Sequence, residues 1–91
     1  MSTISKTVAL QIAQNKVNQL ALAASDEFTI LLEKTQNVEQ GWVFFFNSSD
    51  FVQTGNPLSK LAGNGPILVS HSGEVHELPS SIPWEDALKL L

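Results

Sequence analysis

Cysteine and arginine are both absent from this 91-residue sequence, and only 15% of its residues are charged. Without cysteine the chain forms neither a disulfide framework nor a thiolate metal site. A secreted domain of this size usually needs disulfides or a metal site for stability, so the absence of cysteine favours a reducing compartment. We therefore expect a cytoplasmic protein.

The lack of arginine argues against a nucleic-acid partner. Proteins that bind nucleic acids neutralise phosphates with lysine and arginine, and they recognise bases largely through bidentate arginine. Here five lysines stand against nine aspartates and glutamates, which gives a net charge of −4. An acidic surface favours rapid encounter with a basic partner, although so modest a charge also suits a domain that only has to stay soluble.

The beginning of the sequence has no long apolar run. Met1 to Lys6 contains no basic stretch followed by apolar residues, so neither a signal peptide nor a membrane span is predicted. Apolar residues make up 43% of the whole chain, with two tryptophans and five phenylalanines, which is globular composition. A chain of this length rarely supports two cores, so we expect residues 1–91 to form a single domain.

The first third of the sequence predicts a long amphipathic helix. Ser5 to about Leu22 contains no proline or glycine, and its apolar residues recur at spacings of three and four. This apolar stripe consists of Val8, Leu10, Ile12, Ala13, Val17, Leu20 and Ala21. Such a helix should pack on a sheet.

The rest of the sequence predicts strands and one short helix. We expect a strand over 28–33, a polar connection over 34–40, a strand apolar on both faces over 41–48, and a hairpin of 67–71 and 74–78. The segment 48–65 is either partly helical or a shaped surface loop. Pro83 begins a short C-terminal helix that docks through Trp84. The predicted fold class is α+β, with the long N-terminal helix packed on one face of a four-stranded antiparallel sheet.

Histidines in the predicted hairpin raise the question of a metal site. If Ser72-Gly73 is a two-residue turn, then His71, Glu74 and His76 share one face, where they could contact zinc. The spacing matches no recognised metal signature, and a solvated hairpin tip is the ordinary explanation. We therefore predict no metal and no cofactor.

Catalytic motifs are also lacking. No serine lies in a Gly-x-Ser-x-Gly elbow, and the glycine run Gly63-Asn64-Gly65 leads into a strand, whereas a phosphate loop leads into a helix. The paired carboxylates are explained by turns, strand faces and helix dipoles. We predict that the protein is not an enzyme.

Two segments resemble the signature of the immunity protein 35 family. They are Gly-Trp-Val-Phe-Phe-Phe-Asn-Ser at 41–48 and Leu-Ala-Gly-Asn-Gly-Pro-Ile-Leu-Val at 61–69. Members of this family are small domains of bacterial polymorphic-toxin systems, and the resemblance implies a protein that binds a cognate toxin and blocks it. The motif residues carried over to this sequence are Gly41, Trp42, Phe44, Gly63, Asn64 and Pro66. They imply framework roles and do not locate a binding site.

The leading hypothesis is therefore an immunity protein, or antitoxin, that neutralises its toxin in a stoichiometric complex. Exposed carboxylates could steer a basic toxin, and we predict this role for Glu33, Glu39, Asp50, Glu74 and Glu77. The alternative is a chaperone-like protein that covers apolar surface on several client proteins. It is suggested by the high aromatic and aliphatic content of so short a chain.

Overall fold

The computed structural model describes residues 3–61 and 65–91. Its helices are α1 (Lys6–Ala23), α2 (Ser49–Thr54) and α3 (Trp84–Leu88). Its strands are β1 (Phe28–Ile30), β2 (Gln36–Val38), β3 (Gly41–Phe44), β4 (Phe46–Ser48), β5 (Ile67–Ser70) and β6 (Val75–Glu77). The predicted α+β class is confirmed, with a long N-terminal helix, antiparallel sheets and a short C-terminal helix.

Helix α1 has defined caps at both ends. The Ser5 hydroxyl oxygen accepts a hydrogen bond from the backbone N–H of Val8 at 3.2 Å, which satisfies one free donor of the first turn. At the other end Ser25 adopts the left-handed conformation with φ 53°. The backbone N–H of Asp26 then donates to the carbonyl of Ala21 at 2.9 Å, as in a Schellman cap. The C-terminal cap places Asp26 directly beside the last turn of α1.

Small side chains form the buried face of α1. Ala9, Ala13, Val17 and Ala21 recur every four residues and are buried. They lie against the sheet and let the helix approach it closely. The predicted stripe is wrong at Val8, which is 41% exposed, because the face in contact with the sheet is centred on the alanines.

The main sheet is four-stranded and antiparallel, in the order β2-β3-β5-β6, and β1 pairs separately with β4. The predicted strand at 28–33 ends early, at Ile30, and a 3-10 turn spans Leu32–Lys34. The predicted connection at 34–40 is wrong in part, because Gln36–Val38 pairs with β3. Pairing to a buried neighbouring strand outweighs polar side chains at an edge that faces solvent.

The hairpin of β5 and β6 is confirmed, but its predicted register is wrong by one residue. Val69 lies opposite Val75, and Leu68 lies opposite His76. The turn has three residues, 71–73, because the backbone N–H of Ser70 donates to the carbonyl of Glu74 at 2.9 Å. Gly73 completes this turn with φ 90°, the left-handed conformation that three-residue hairpin loops require.

The segment 41–48, predicted as one strand, is divided into β3 and β4, which belong to different sheets. Its predicted apolar character on both faces is confirmed, because β3 and β5 bury side chains on both faces of the sheet and the core has two parts. The first core, under α1, consists of Ala9, Ala13, Val17, Ile30, Phe44, Phe46, Ile67 and Val69. The second core, under α3, consists of Val43, Leu68, Leu78, Ala87 and Leu88. Helix α3 docks through Trp84 as predicted. The Trp84 ring packs edge to face against the ring of Phe45, with centroids 6.1 Å apart.

Candidate functional site

The motif residues of the Gly-Trp strand make contacts inside the sheet. A Cβ atom on Gly41 would overlap the carbonyl oxygen of Val69, so the close approach of β3 and β5 requires glycine there. The Trp42 ring packs edge to face against the ring of His71, with centroids 4.8 Å apart. Phe44 is 1% exposed in the first core. These contacts suit a framework.

The second motif segment is described only in part. Gly63 and Asn64 lie outside the described residues. Gly65 lies against Leu78, the residue after β6, since a Cβ atom there would overlap the carbonyl oxygen of Leu78. The carbonyl of Pro66 accepts a hydrogen bond from the backbone N–H of Leu78 at 2.9 Å. This bond extends the pairing of β5 and β6 by one step.

The two histidines lie on opposite faces of the sheet. His71 contacts Trp42 on the side of α1, whereas His76 pairs with Leu68, whose side chain belongs to the second core. The shared face considered for a zinc site therefore does not form, because the register differs by one residue. In the part of the chain that the structure describes, no three His, Asp or Glu side chains come together as a possible metal site.

Two of the five predicted steering carboxylates lie at the same end of the sheet. Glu39 is in the turn between β2 and β3, and Glu74 directly follows the turn 71–73 between β5 and β6. A hydrogen bond of 3.1 Å from the backbone N–H of His71 to the carbonyl of Gln40 joins the two turns. Glu74 also lies 3.6 Å from the Nε2 atom of His76.

The other three carboxylates lie elsewhere. Glu33 is exposed in the 3-10 turn, at the opposite end of β2 from Glu39. Asp50 lies in the first turn of α2, where it accepts a hydrogen bond from the Ser59 hydroxyl. Glu77 lies 3.4 Å from the Nζ atom of Lys16 on α1. The five predicted residues therefore do not form one patch.

Two buried polar residues that were not predicted organise the segment 48–61. The Asn47 Oδ1 atom accepts hydrogen bonds from the backbone N–H groups of Ser48 and Leu61, both at 2.8 Å. The Ser48 hydroxyl donates to the carbonyl of Ser59 at 2.5 Å and accepts from the backbone N–H of Phe51 at 3.1 Å. The only sequence signal was the change from a Phe-rich strand to polar residues at 47 and 48. These bonds hold α2 and the 3-10 turn Pro57–Ser59 against the end of β4.

A groove of about 400 Å³ opens where α1 ends. We call it the α1 groove, and its lining residues are Asn18, Ala21, Leu22, Asp26, Glu27, Phe28 and Ser49. Four elements meet there: the last turns of α1, the turn after it, the start of β1 and the start of α2. Leu22 is 80% exposed on one wall. No sequence motif marked this groove, because Ser49 lies far from the other lining residues along the chain.

Comparison with known proteins relates the chain to one family. The family model described as Immunity protein 35 matches residues 7–89. A protein of Escherichia coli (strain K12), named "Uncharacterized protein YrhB", is 41% identical over 51 residues, which is 55% of this chain and 54% of that protein. The chain thus spans about half the length of the curated relative it matches, and no solved structure matches it.

Within residues 3–61 and 65–91, no helix is both long and apolar enough to cross a bilayer. Apart from Lys6, the first residue of α1, the family match covers every helix and strand found in the described residues. It therefore includes both glycine-containing segments whose resemblance was noted in the sequence. The chain belongs to the immunity protein 35 family.

Proposed function

We propose that this protein protects a bacterial cell by binding a cognate toxin in a stoichiometric complex that blocks the toxin. The family match over residues 7–89 carries the proposal, since membership of an immunity protein family indicates an immunity function. Inhibition by binding needs no chemistry from the immunity protein itself. We place the complex in the cytoplasm, where the lack of cysteine suits the reducing conditions.

The charge of the molecule supports a basic toxin. Among the residues that the structure describes, Glu33 and Glu39 form no ion pair, and Glu74 is near only the imidazole of His76. Because the predicted carboxylates are spread over the molecule, their role in the proposal is long-range attraction of the toxin. Such a field raises the association rate and is weakened by salt.

The segment 48–61 supports a binding role through its shape. Its backbone is fixed by the buried side chains of Asn47 and Ser48, yet it leaves Leu58 92% exposed and Val52 39% exposed. A fixed loop loses little conformational entropy when a partner binds. This segment could therefore offer the toxin a preformed surface.

Co-expression with the toxin tests the proposal. The toxin candidate is a toxin-like polypeptide encoded next to the gene of this protein. We expect the candidate alone to stop growth, co-expression to restore growth, and the two purified chains to form a one-to-one complex by calorimetry. Failure to bind, together with suppression of aggregation of unrelated heat-unfolded proteins, would support the chaperone-like alternative instead.

A further inference from the structure

The α1 groove combines apolar walls with an open mouth. Leu22 is 80% exposed, and the ring of Phe28 is half-buried beside it. Ala23 and Ala24, which follow Leu22, have side chains too short to cover the opening. An apolar surface therefore remains accessible at this end of the molecule.

Two features of the α1 groove favour a positively charged ligand. Its lining residues include Asp26 and Glu27 and no lysine. The groove also lies at the C-terminal end of α1, an 18-residue helix without a basic residue in its last turn. The C-terminal end of a helix carries about half a negative charge, which favours a cation. Among the described residues, none supplies a cation to the lining of the groove.

Hydrogen bonds fix the Asp26 carboxylate and the backbone of the turn that carries Glu27. The Asp26 Oδ1 atom accepts a hydrogen bond from the backbone N–H of Glu27 at 2.7 Å. The carbonyl of Glu27 accepts one from the backbone N–H of Ser49 at 2.8 Å, which ties this turn to the start of α2. Together with the cap at Ser25, these bonds fix the rim of the groove before any ligand binds.

We propose that the α1 groove receives an arginine side chain of the toxin. The proposal rests on the proposed function, because the partner is the same toxin. The methylene groups of arginine would pack against Leu22, and its guanidinium group would meet the carboxylates of Asp26 and Glu27. Arginine fits better than lysine because its planar guanidinium also stacks on an aromatic ring, which Phe28 supplies.

The first test uses a small probe and does not need the toxin. Nα-acetyl-L-arginine amide is titrated into the ¹⁵N-labelled protein, and Nα-acetyl-L-norleucine amide serves as the uncharged counterpart. We expect saturable shifts of the amide signals of residues 18–28 and 49, with a dissociation constant on the order of 1 mM for so small a ligand. Nα-acetyl-L-norleucine amide should bind at least tenfold more weakly than the arginine compound. Equal effects of the two compounds, or no shifts at these residues, would overturn the proposal.

A pair of charge-matched variants makes the test specific. Asp26→Asn with Glu27→Gln removes both charges from the groove, while the amide oxygen introduced at position 26 can still cap the N–H of residue 27. Glu85→Gln with Asp86→Asn removes the same charge from α3, which packs on the other face of the sheet. We expect the groove variant to lose arginine affinity at least tenfold and the α3 variant to bind like the wild type. Equal losses in both variants would mean that net charge alone attracts the probe, and the proposal would be wrong.

The toxin itself supplies the second test. The groove variant should bind the toxin at least tenfold more weakly than the α3 variant does. If the groove variant keeps full affinity for the toxin, the assigned occupant is wrong, whereas the proposed function stands. If neither variant nor the wild type binds the toxin, the proposed function fails, and the arginine titration still decides whether the groove binds the guanidinium group.

Discussion

Asn47 shows how much of this structure depends on one buried polar side chain. It is 9% exposed, and its Oδ1 atom accepts two backbone hydrogen bonds, one from its neighbour Ser48 and one from Leu61. A buried N–H group that loses its partner retains its full desolvation penalty. The path of the chain from β4 to residue 61 therefore depends on this amide oxygen together with the Ser48 hydroxyl.

We predict that Asn47→Ala lowers the free energy of unfolding by about 3 kcal/mol, because it leaves the N–H groups of Ser48 and Leu61 unpaired. Urea denaturation followed by tryptophan fluorescence measures the loss. Asn56→Ala is the matched control, since Asn56 is exposed and caps only the 3-10 turn through the N–H of Leu58. It should cost about 1 kcal/mol. Equal losses would mean that water or another group replaces the Asn47 oxygen.

Some residue roles were predictable and others were not. The alternation in Trp42-Val43-Phe44-Phe45 predicts two buried faces, and the structure confirms both. The role of Asn47 was not predictable, because an asparagine near the end of a strand is usually explained by the turn that follows. Its function depends on Leu61, which only the folded chain brings near.

The pairing of β3 with β5 holds the four-stranded sheet together, and Gly41 is its tightest point. Gly41 lies opposite Ser70, and a Cβ atom there would be 2.8 Å from the Ser70 Cα atom as well as overlapping the carbonyl of Val69. Both contacts are with backbone atoms, which cannot rotate away. The two strands would have to separate to admit any side chain.

Gly41→Ala should therefore cost at least about 3 kcal/mol, or prevent folding altogether. Gly55→Ala is the control for the same chemical change. Gly55 has a left-handed φ of 72° but no atom within 4 Å of a Cβ position, so its cost should be only about 1 kcal/mol. Thermal unfolding monitored by circular dichroism compares the two. If both variants lose the same stability, steric overlap at Gly41 is not the cause.

Elements with a strong period were predictable from the sequence. Helix α1 and the hairpin of β5 and β6 were found where predicted, within the usual error at element ends. Strand β2 was not predicted because Gln36 and Asn37 are polar and exposed, so no period distinguishes them from a loop. The hairpin register also escaped prediction. It depends on the pairing of Ser70 with Glu74, and a Ser-Gly pair suits turns of either two or three residues.

At the scale of the whole molecule, an acidic surface should govern how fast the toxin arrives. We predict that reversing Glu33, Glu39 and Glu74 to lysine slows association at least tenfold at low salt. Each reversal adds two charges, so the net charge changes from −4 to +2. The difference should shrink as salt shortens the range of the field. Stopped-flow mixing with the toxin measures both rates.

The triple Glu→Gln variant at the same positions is the intermediate control, with a net charge of −1 because each substitution removes one negative charge from −4. Its association rate should lie between those of the other two proteins, and the dissociation rates should be alike. A change confined to dissociation would mean that these residues contact the toxin directly. Unchanged association at low salt would exclude steering.

The candidate site as a whole was only partly predictable. Composition predicted an acidic surface. The five predicted carboxylates lie at separate places on the molecule, which the sequence alone did not indicate. The α1 groove was not predictable, because Leu22, Phe28 and Ser49 become neighbours only through the packing of α1, β1 and α2. In the sequence, Asp26 and Glu27 are explained fully by a turn.

The two edges of the four-stranded sheet are short. Each edge strand, β2 and β6, has three residues; a 3-10 turn interrupts the chain before β2, and Pro79 follows soon after β6. Long, straight edges let identical molecules add to one another as strands and grow into fibrils. Edges as short as these give an incoming strand few backbone partners. We therefore expect the folded protein to stay dispersed when it accumulates, a property that an antidote kept in excess over its toxin would need.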